Sequence, residues 1–216
     1  MKLNWKREIL PACLFIAMAI AGVYYYPLLP NVVPSHFGFN GEPNGWMTKP
    51  HFFIMGLFPF LLVYVLLTFF PFIDPLKRKI APRFNVVLRL RDVILVFTAV
   101  IFIVTLKGAH DKILDVNIFG IALGLLFVVL GNYLPKVPQN WFVGIKSPWA
   151  ISSEVVWKKT HILAGWLFTF AGIAYILFSC LKFKPLFGLC AIIFAGVVPY
   201  LYSYFIYRKI QKPGNA

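Results

Sequence analysis

Glu154, Trp157 and His161 stand three and four residues apart, which puts a carboxylate, an indole and an imidazole on one helix face. A carboxylate and an imidazole converging on one cleft can serve as acid and base. That chemistry needs a nucleophile or a metal beside the base, and no Ser/His/Asp or paired-carboxylate constellation is readable. The face also reads without chemistry, as Trp157 and His161 anchoring at an interface and Glu154 pairing with Lys158 one turn on. Together with Asn132, Asn140, Gly144, Lys146, Pro148 and Trp149 it forms a candidate pocket or partner surface. A second polar and aromatic set, His36, Phe39, Asn40, Gly41, Asn44, Gly45 and Trp46, is a candidate platform for an outside ligand. His36, Glu42 and His51 match no metal-ligand spacing, so neither a metal nor a cofactor is expected.

Both sets lie in loops, and the elements that hold them are greasy. The 216-residue chain is 60% hydrophobic, with a mean hydropathy of +0.79. Apolar runs cover Ile9–Pro30, Phe52–Ile73, Asp92–Leu106, Asn117–Leu134, His161–Leu181 and Pro185–Tyr207. Most approach the roughly 20 residues that cross a hydrocarbon core of about 30 Å. The third is short, and the amphipathic stretch Asn85–Arg91 extends it, with Arg89 and Arg91 snorkelling to the headgroups. Asp92, the one carboxylate within a span, is expected in an interfacial ion pair with them. Pro59 and Pro199 are expected to kink their spans. The first run continues through Tyr24–Tyr26, longer than the roughly 15 residues of a signal-peptide core, which predicts a retained anchor. The expected fold is an all-α polytopic bundle of six transmembrane helices, because lipid forces backbone groups to pair within their own segment.

The net charge of +14 is unevenly placed. Sixteen of the 21 Lys and Arg, from Lys2 to Lys212, fall on the side of the termini, and Lys49, Lys107, Lys112, Lys182 and Lys184 fall on the other. The positive-inside rule then puts both termini in the cytoplasm and the 31–51 loop outside. Attraction to anionic lipid explains this charge better than nucleic acid does. Cys13, Cys180 and Cys190 all lie in spans and read as small apolar residues, with a Cys180–Cys190 disulfide as the alternative.

The two loops differ in kind. Two Asn-Gly pairs, Asn40-Gly41 and Asn44-Gly45, mark tight turns, so Val32–Phe37 and Trp46–Lys49 are expected to pair as a small hairpin. His36, Phe37, Phe39 and Trp46 would cluster on it. In the 135–160 loop, prolines and Gly144 favour a structured turn, followed by a helix capped by Ser152.

Taken together, the loops resemble a known family. Pro34–Lys49 is similar to a short N-terminal domain of unknown function found in SdpI-like proteins. Gly131–His161 resembles the SdpI signature through Asn140-x-x-x-Gly144-Ile145-Lys146-x-Pro148-Trp149 and Glu154-x-x-Trp157-x-x-x-His161. Lys146 stands where the family more often has Arg. The resemblance implies a two-helix unit over residues 1–80 and a four-helix unit over residues 84–216. It implies a non-enzymatic plasma-membrane protein of a Gram-positive bacterium, giving immunity to a secreted peptide toxin. It also implies signalling through a cytosolic repressor held at the membrane, for which Lys77, Arg78, Lys79 and the second loop are the candidate surface. A small-molecule or lipid transporter with a hydrated cavity, and an inner-leaflet enzyme using Glu154 and His161, are the alternatives.

Overall fold

The computed structural model describes residues 1–211; Lys212, counted above with the basic side, lies outside them. Helix α1 (Ile9–Tyr25) leads into a β-hairpin of β1 (Val32–Phe37) and β2 (Pro43–Thr48). Next come α2 (Lys49–Ile73), the short α3 (Lys77–Ile80), α4 (Phe84–Asp111) and α5 (Val116–Tyr133). After a loop and the five-residue α6 (Pro148–Ser152), α7 (Glu154–Cys180) and α8 (Pro185–Ile210) finish the bundle. Five segments, 5–28, 49–73, 116–136, 154–180 and 185–210, are long and apolar enough to cross a membrane. With 28 residues, α4 is longer than any of them, but it carries Arg89, Arg91 and Asp92. It begins eight residues before the apolar run and persists to Asp111 beyond it.

Large apolar side chains face outward along the spans, among them Ile20, Phe58, Trp166, Phe170 and Phe194. That is the pattern of helices whose solvent is hydrocarbon. Inside, Met18, Val33, Phe52, Phe60, Leu95 and Phe102 join α1, α2, α4 and the hairpin in one core. A second core, Leu90, Val137, Ala150, Val156 and Trp157, ties α4 to α6, α7 and the loop before them.

Glycines set the α5–α7 contact. A Cβ on Gly124 would stand 2.7 Å from the Gly172 carbonyl oxygen, and one on Gly172 would stand 2.7 Å from the Val128 amide nitrogen. Seven residues along each helix, Gly131 and Gly165 repeat the arrangement. Close backbone approach at small residues is how helices associate in lipid, where no hydrophobic force distinguishes side chain from solvent. Gly120-x-x-x-Gly124 carries this signal in the sequence.

Three local expectations are corrected. Arg91 does not snorkel; it is fully buried, whereas Arg89 is exposed. The cap of α7 is Ser153, whose Oγ accepts from Val156 N–H, while Ser152 closes α6 and donates to the Trp149 carbonyl. Glu154 pairs with Lys79 at 2.6 Å, not with Lys158. Cys13, Cys180 and Cys190 are free thiols. Both α2 and α8 continue through Pro59 and Pro199.

Candidate functional site

Structured loops occupy the two ends of the bundle, the hairpin at one and residues 134–153 at the other, with the start of α1 and the end of α8 at the second. In the hairpin, Val32 pairs with Thr48, Val33 with Met47 and Pro34 with Trp46, and bulges near His36 shift the register to Phe37–Pro43. The second strand therefore begins three residues before the expected Trp46. Gly41 has φ +82° and lies against the Leu114 carbonyl, where a Cβ would collide. The Gly41 carbonyl accepts the Leu114 N–H at 2.8 Å, which docks the hairpin tip on the α4–α5 loop. Lys49 holds the other end, donating to the Tyr26 and Leu29 carbonyls at 3.1 and 2.8 Å. These carbonyls belong to the short turn that follows α1, where a cation supplies the donor the chain lacks.

On this frame, His36 hydrogen-bonds Asn44, and Asn40 donates to Glu42 at 2.6 Å. Phe39 and Trp46 are 59% and 55% exposed. Among the described residues these rings make no stacked or edge pair with His36, Phe37 or each other, so the expected aromatic cluster is replaced by two separate exposed anchors. Beneath the hairpin lies an apolar cavity of about 310 Å³ that includes Phe37, Met47, Met55, Pro59 and Phe102 in its wall.

The opposite loop is held from within. Asn140, buried, uses its whole amide. Its Nδ2 donates to the Pro138 and Val143 carbonyls at 2.8 and 2.9 Å, and its Oδ1 accepts from Phe142 and Val143 N–H at 2.8 and 2.6 Å. Asp74, just after α2, accepts from Trp141 N–H at 2.9 Å and from Leu76 N–H at 2.6 Å. Gln139 donates to the Ala150 and Ile151 carbonyls and accepts from Lys79. Ser147 caps α6 and bonds Ser203 of α8 at 2.6 Å. Sequence reasoning missed Asp74, Gln139 and the Ser147–Ser203 pair, because each acts on a partner far along the chain.

His161 belongs to the same framework. Its Nε2 accepts from Ile145 N–H at 3.0 Å, so the proton sits on Nδ1, which donates to the Trp157 carbonyl at 2.8 Å. The ring stacks on Trp157 at 4.0 Å, and Trp157 Nε1 donates to the Val137 carbonyl. Gly144, at φ +115°, has no room for a Cβ beside that imidazole. With both nitrogens engaged, His161 has no lone pair or proton to offer a substrate. Glu154 is exposed on a different cavity with Lys79, so the two do not converge as an acid and base would.

The remaining expected residues do not form one pocket. Asn132 faces outward and bonds the Val128 carbonyl of its own helix. Lys146 and Pro148 are exposed, and Trp149 packs on Tyr204 of α8. Lys79, Glu154 and Trp157 do share a cavity of about 300 Å³, with Arg83, Gln139 and Lys158 in the same wall.

Loss of the Asn140 amide tests this framework. Asn140→Ala leaves two N–H donors and two carbonyls without partners, at about 1 kcal/mol for each lost bond. The Phe142 and Val143 amides are expected to exchange with deuterium more than about tenfold faster, while α5 and α7 amides hold.

A third cluster lies between α1, α2 and α4. Arg91 donates to both Glu8 carboxylate oxygens at 3.0 and 3.1 Å, to Thr68 Oγ1 at 3.1 Å and to the Arg7 carbonyl at 2.9 Å. Its Nε reaches Asp92 at 2.9 Å. Tyr64 lies under the guanidinium and donates to Glu8 at 2.9 Å. Asp92 also closes one end of an apolar cavity of about 320 Å³ walled by Val96, Phe97, Leu125 and Val129.

The spans, the hairpin and the stapled loop define a multi-pass helical membrane protein with a structured loop at each end of its bundle. Residues 136–203 match the SdpI/YfhL protein family, and residues 13–63 match a domain of unknown function, DUF1648. The DUF1648 match thus precedes the SdpI/YfhL match along the chain. It is 23% identical over 211 residues to the immunity protein SdpI of Bacillus subtilis (strain 168), covering 95% of this chain and 98% of that one. No solved structure matches it.

Proposed function

We propose that the chain is an immunity protein of the bacterial plasma membrane, protecting its cell from a secreted peptide toxin. The observation that carries this reading is the end-to-end similarity to the SdpI immunity protein, which leaves neither loop outside the match. Charge supports an orientation with the termini and the 134–153 loop in the cytoplasm and the hairpin outside, since the basic excess is at the terminal end. The toxin then meets Phe39 and Trp46 on the hairpin, with the polar edge of His36, Asn40 and Asn44 beside them. Gly41 lets the tip close on the Leu114 carbonyl, and Gly45 lets β2 come close to His36. On the cytoplasmic side, the exposed Lys77, Arg78 and Lys146, with the half-buried Trp149, form the surface for a repressor. A transport role is less well supported, since the cavity along the spans is apolar apart from Asp92, which Arg91 already holds.

Expression of the full-length chain in a toxin-sensitive strain tests the reading. Cells are expected to survive a toxin dose that kills the control. The double variant Phe39→Ala, Trp46→Ala is expected to lower the tolerated dose about tenfold or more at unchanged membrane level, as loss of two aromatic anchors does. Killing unchanged by full-length inserted protein, across related toxins, contradicts immunity.

A further inference from the structure

We propose that the basic cavity beside α3 and the start of α7 is a site for a phosphate group, supplied by the headgroup of an anionic phospholipid. Three cations, Lys79, Arg83 and Lys158, share its wall with one carboxylate, Glu154. Lys79 is spent, because its ammonium donates to Glu154 at 2.6 Å and to Gln139 at 2.7 Å. Gln139 is itself buried and pinned to the α6 carbonyls, so this inner wall is fixed. Arg83 and Lys158 remain, both exposed, and among the described residues neither makes an ion pair or a side-chain hydrogen bond.

Among the described residues no Asp or Glu pairs with them; Glu154, the carboxylate that feels the charge of Arg83, is bonded to Lys79. Of the seven Asp and Glu, Glu8 and Asp92 serve Arg91, Asp74 accepts from Leu76 and Trp141 N–H, and Glu154 holds Lys79. Glu42, Asp111 and Asp115 lie at the hairpin end. Arg83 and Lys158 are therefore open to an anion from outside the protein. The cavity sits where α7 leaves its apolar stretch, with the Trp157 indole in its wall. That is the depth of a lipid headgroup, and basic pockets between spans at the membrane surface recognise such groups. A free phosphate shares the charge but has no acyl chains to hold it there. The site stands on this geometry alone and does not require the immunity reading.

Native mass spectrometry of the full-length protein in mixed micelles tests it, with phosphatidylglycerol, phosphatidylcholine and inorganic phosphate as separate probes. Phosphatidylglycerol is expected to stay bound while phosphatidylcholine dissociates. The variant Arg83→Gln, Lys158→Gln is expected to weaken retention about 30-fold, the effect of removing two surface cations. The control Lys77→Gln, Arg78→Gln removes equal charge outside the cavity and is expected to leave retention within about twofold of the parent. Equal losses in both variants would mean diffuse surface attraction and overturn the site. Retention of inorganic phosphate as tight as that of the lipid would overturn the lipid source.

Discussion

Replacing Arg91 with methionine is expected to destabilise the detergent-solubilised protein by about 3–5 kcal/mol, the usual cost of removing one partner of a buried ion pair. The thermal midpoint by near-ultraviolet circular dichroism reads the loss. The reason lies in what remains behind. Glu8 and Asp92 would keep their charges without the guanidinium that spans both. Thr68 and the Arg7 carbonyl would lose their donor, and α1, α2 and α4 would lose their shared anchor. Adding Glu8→Gln and Asp92→Asn to the variant removes the stranded charges, so the triple variant is expected to recover much of the loss. Arg89→Met, two residues away and exposed, is expected to stay within about 0.5 kcal/mol of the parent. If Arg91→Met and Arg89→Met behave alike, Arg91 does not organise this end of the bundle.

The second large effect is expected at the α5–α7 seam. Gly172→Val puts a branched side chain against main-chain atoms of Gly124 and Val128, which cannot turn aside as a side-chain tip would. The helices must part, at a cost of about 3 kcal/mol, the upper end of ordinary overpacking. Gly196→Val is the matched control, since a Cβ at Gly196 meets nothing within 4 Å. Thermal unfolding should show a large fall for the first and a small one for the second. The opposite ranking would mean that the two helices do not approach at these glycines.

What the sequence makes legible follows the range of the interactions. Spans are readable because hydrocarbon imposes apolarity on every exposed position, and five of the six were located to within a few residues at most ends. The hairpin is readable because its Asn40-Gly41 turn is local, whereas Asn44-Gly45, expected as a second turn, lies within β2 without a positive φ. Arg91 misleads for the opposite reason. Proximity to the start of an apolar run suggests a headgroup partner, but its partners stand 83 residues back on Glu8 and 23 back on Thr68. Much of the stapled loop is hidden in the same way. Asn140 and His161 stand out as polar residues at a span edge, yet their acceptors and donors are backbone groups, which carry no side-chain signature. Asp74 and Gln139 look like ordinary loop residues until Trp141 N–H and Lys79 arrive beside them. His161 thus reads in the sequence as a possible base, and in the fold as a peg that shapes residues 144–145.

The account depends most on the hairpin and the stapled loop lying on opposite faces of the membrane. The direct measurement is labelling of intact cells by a membrane-impermeant maleimide, with Cys13, Cys180 and Cys190 replaced by alanine. Trp46→Cys is expected to label in intact cells, and Lys146→Cys only after the cells are opened. Labelling of both positions in intact cells, or of Lys146→Cys alone, would contradict the account.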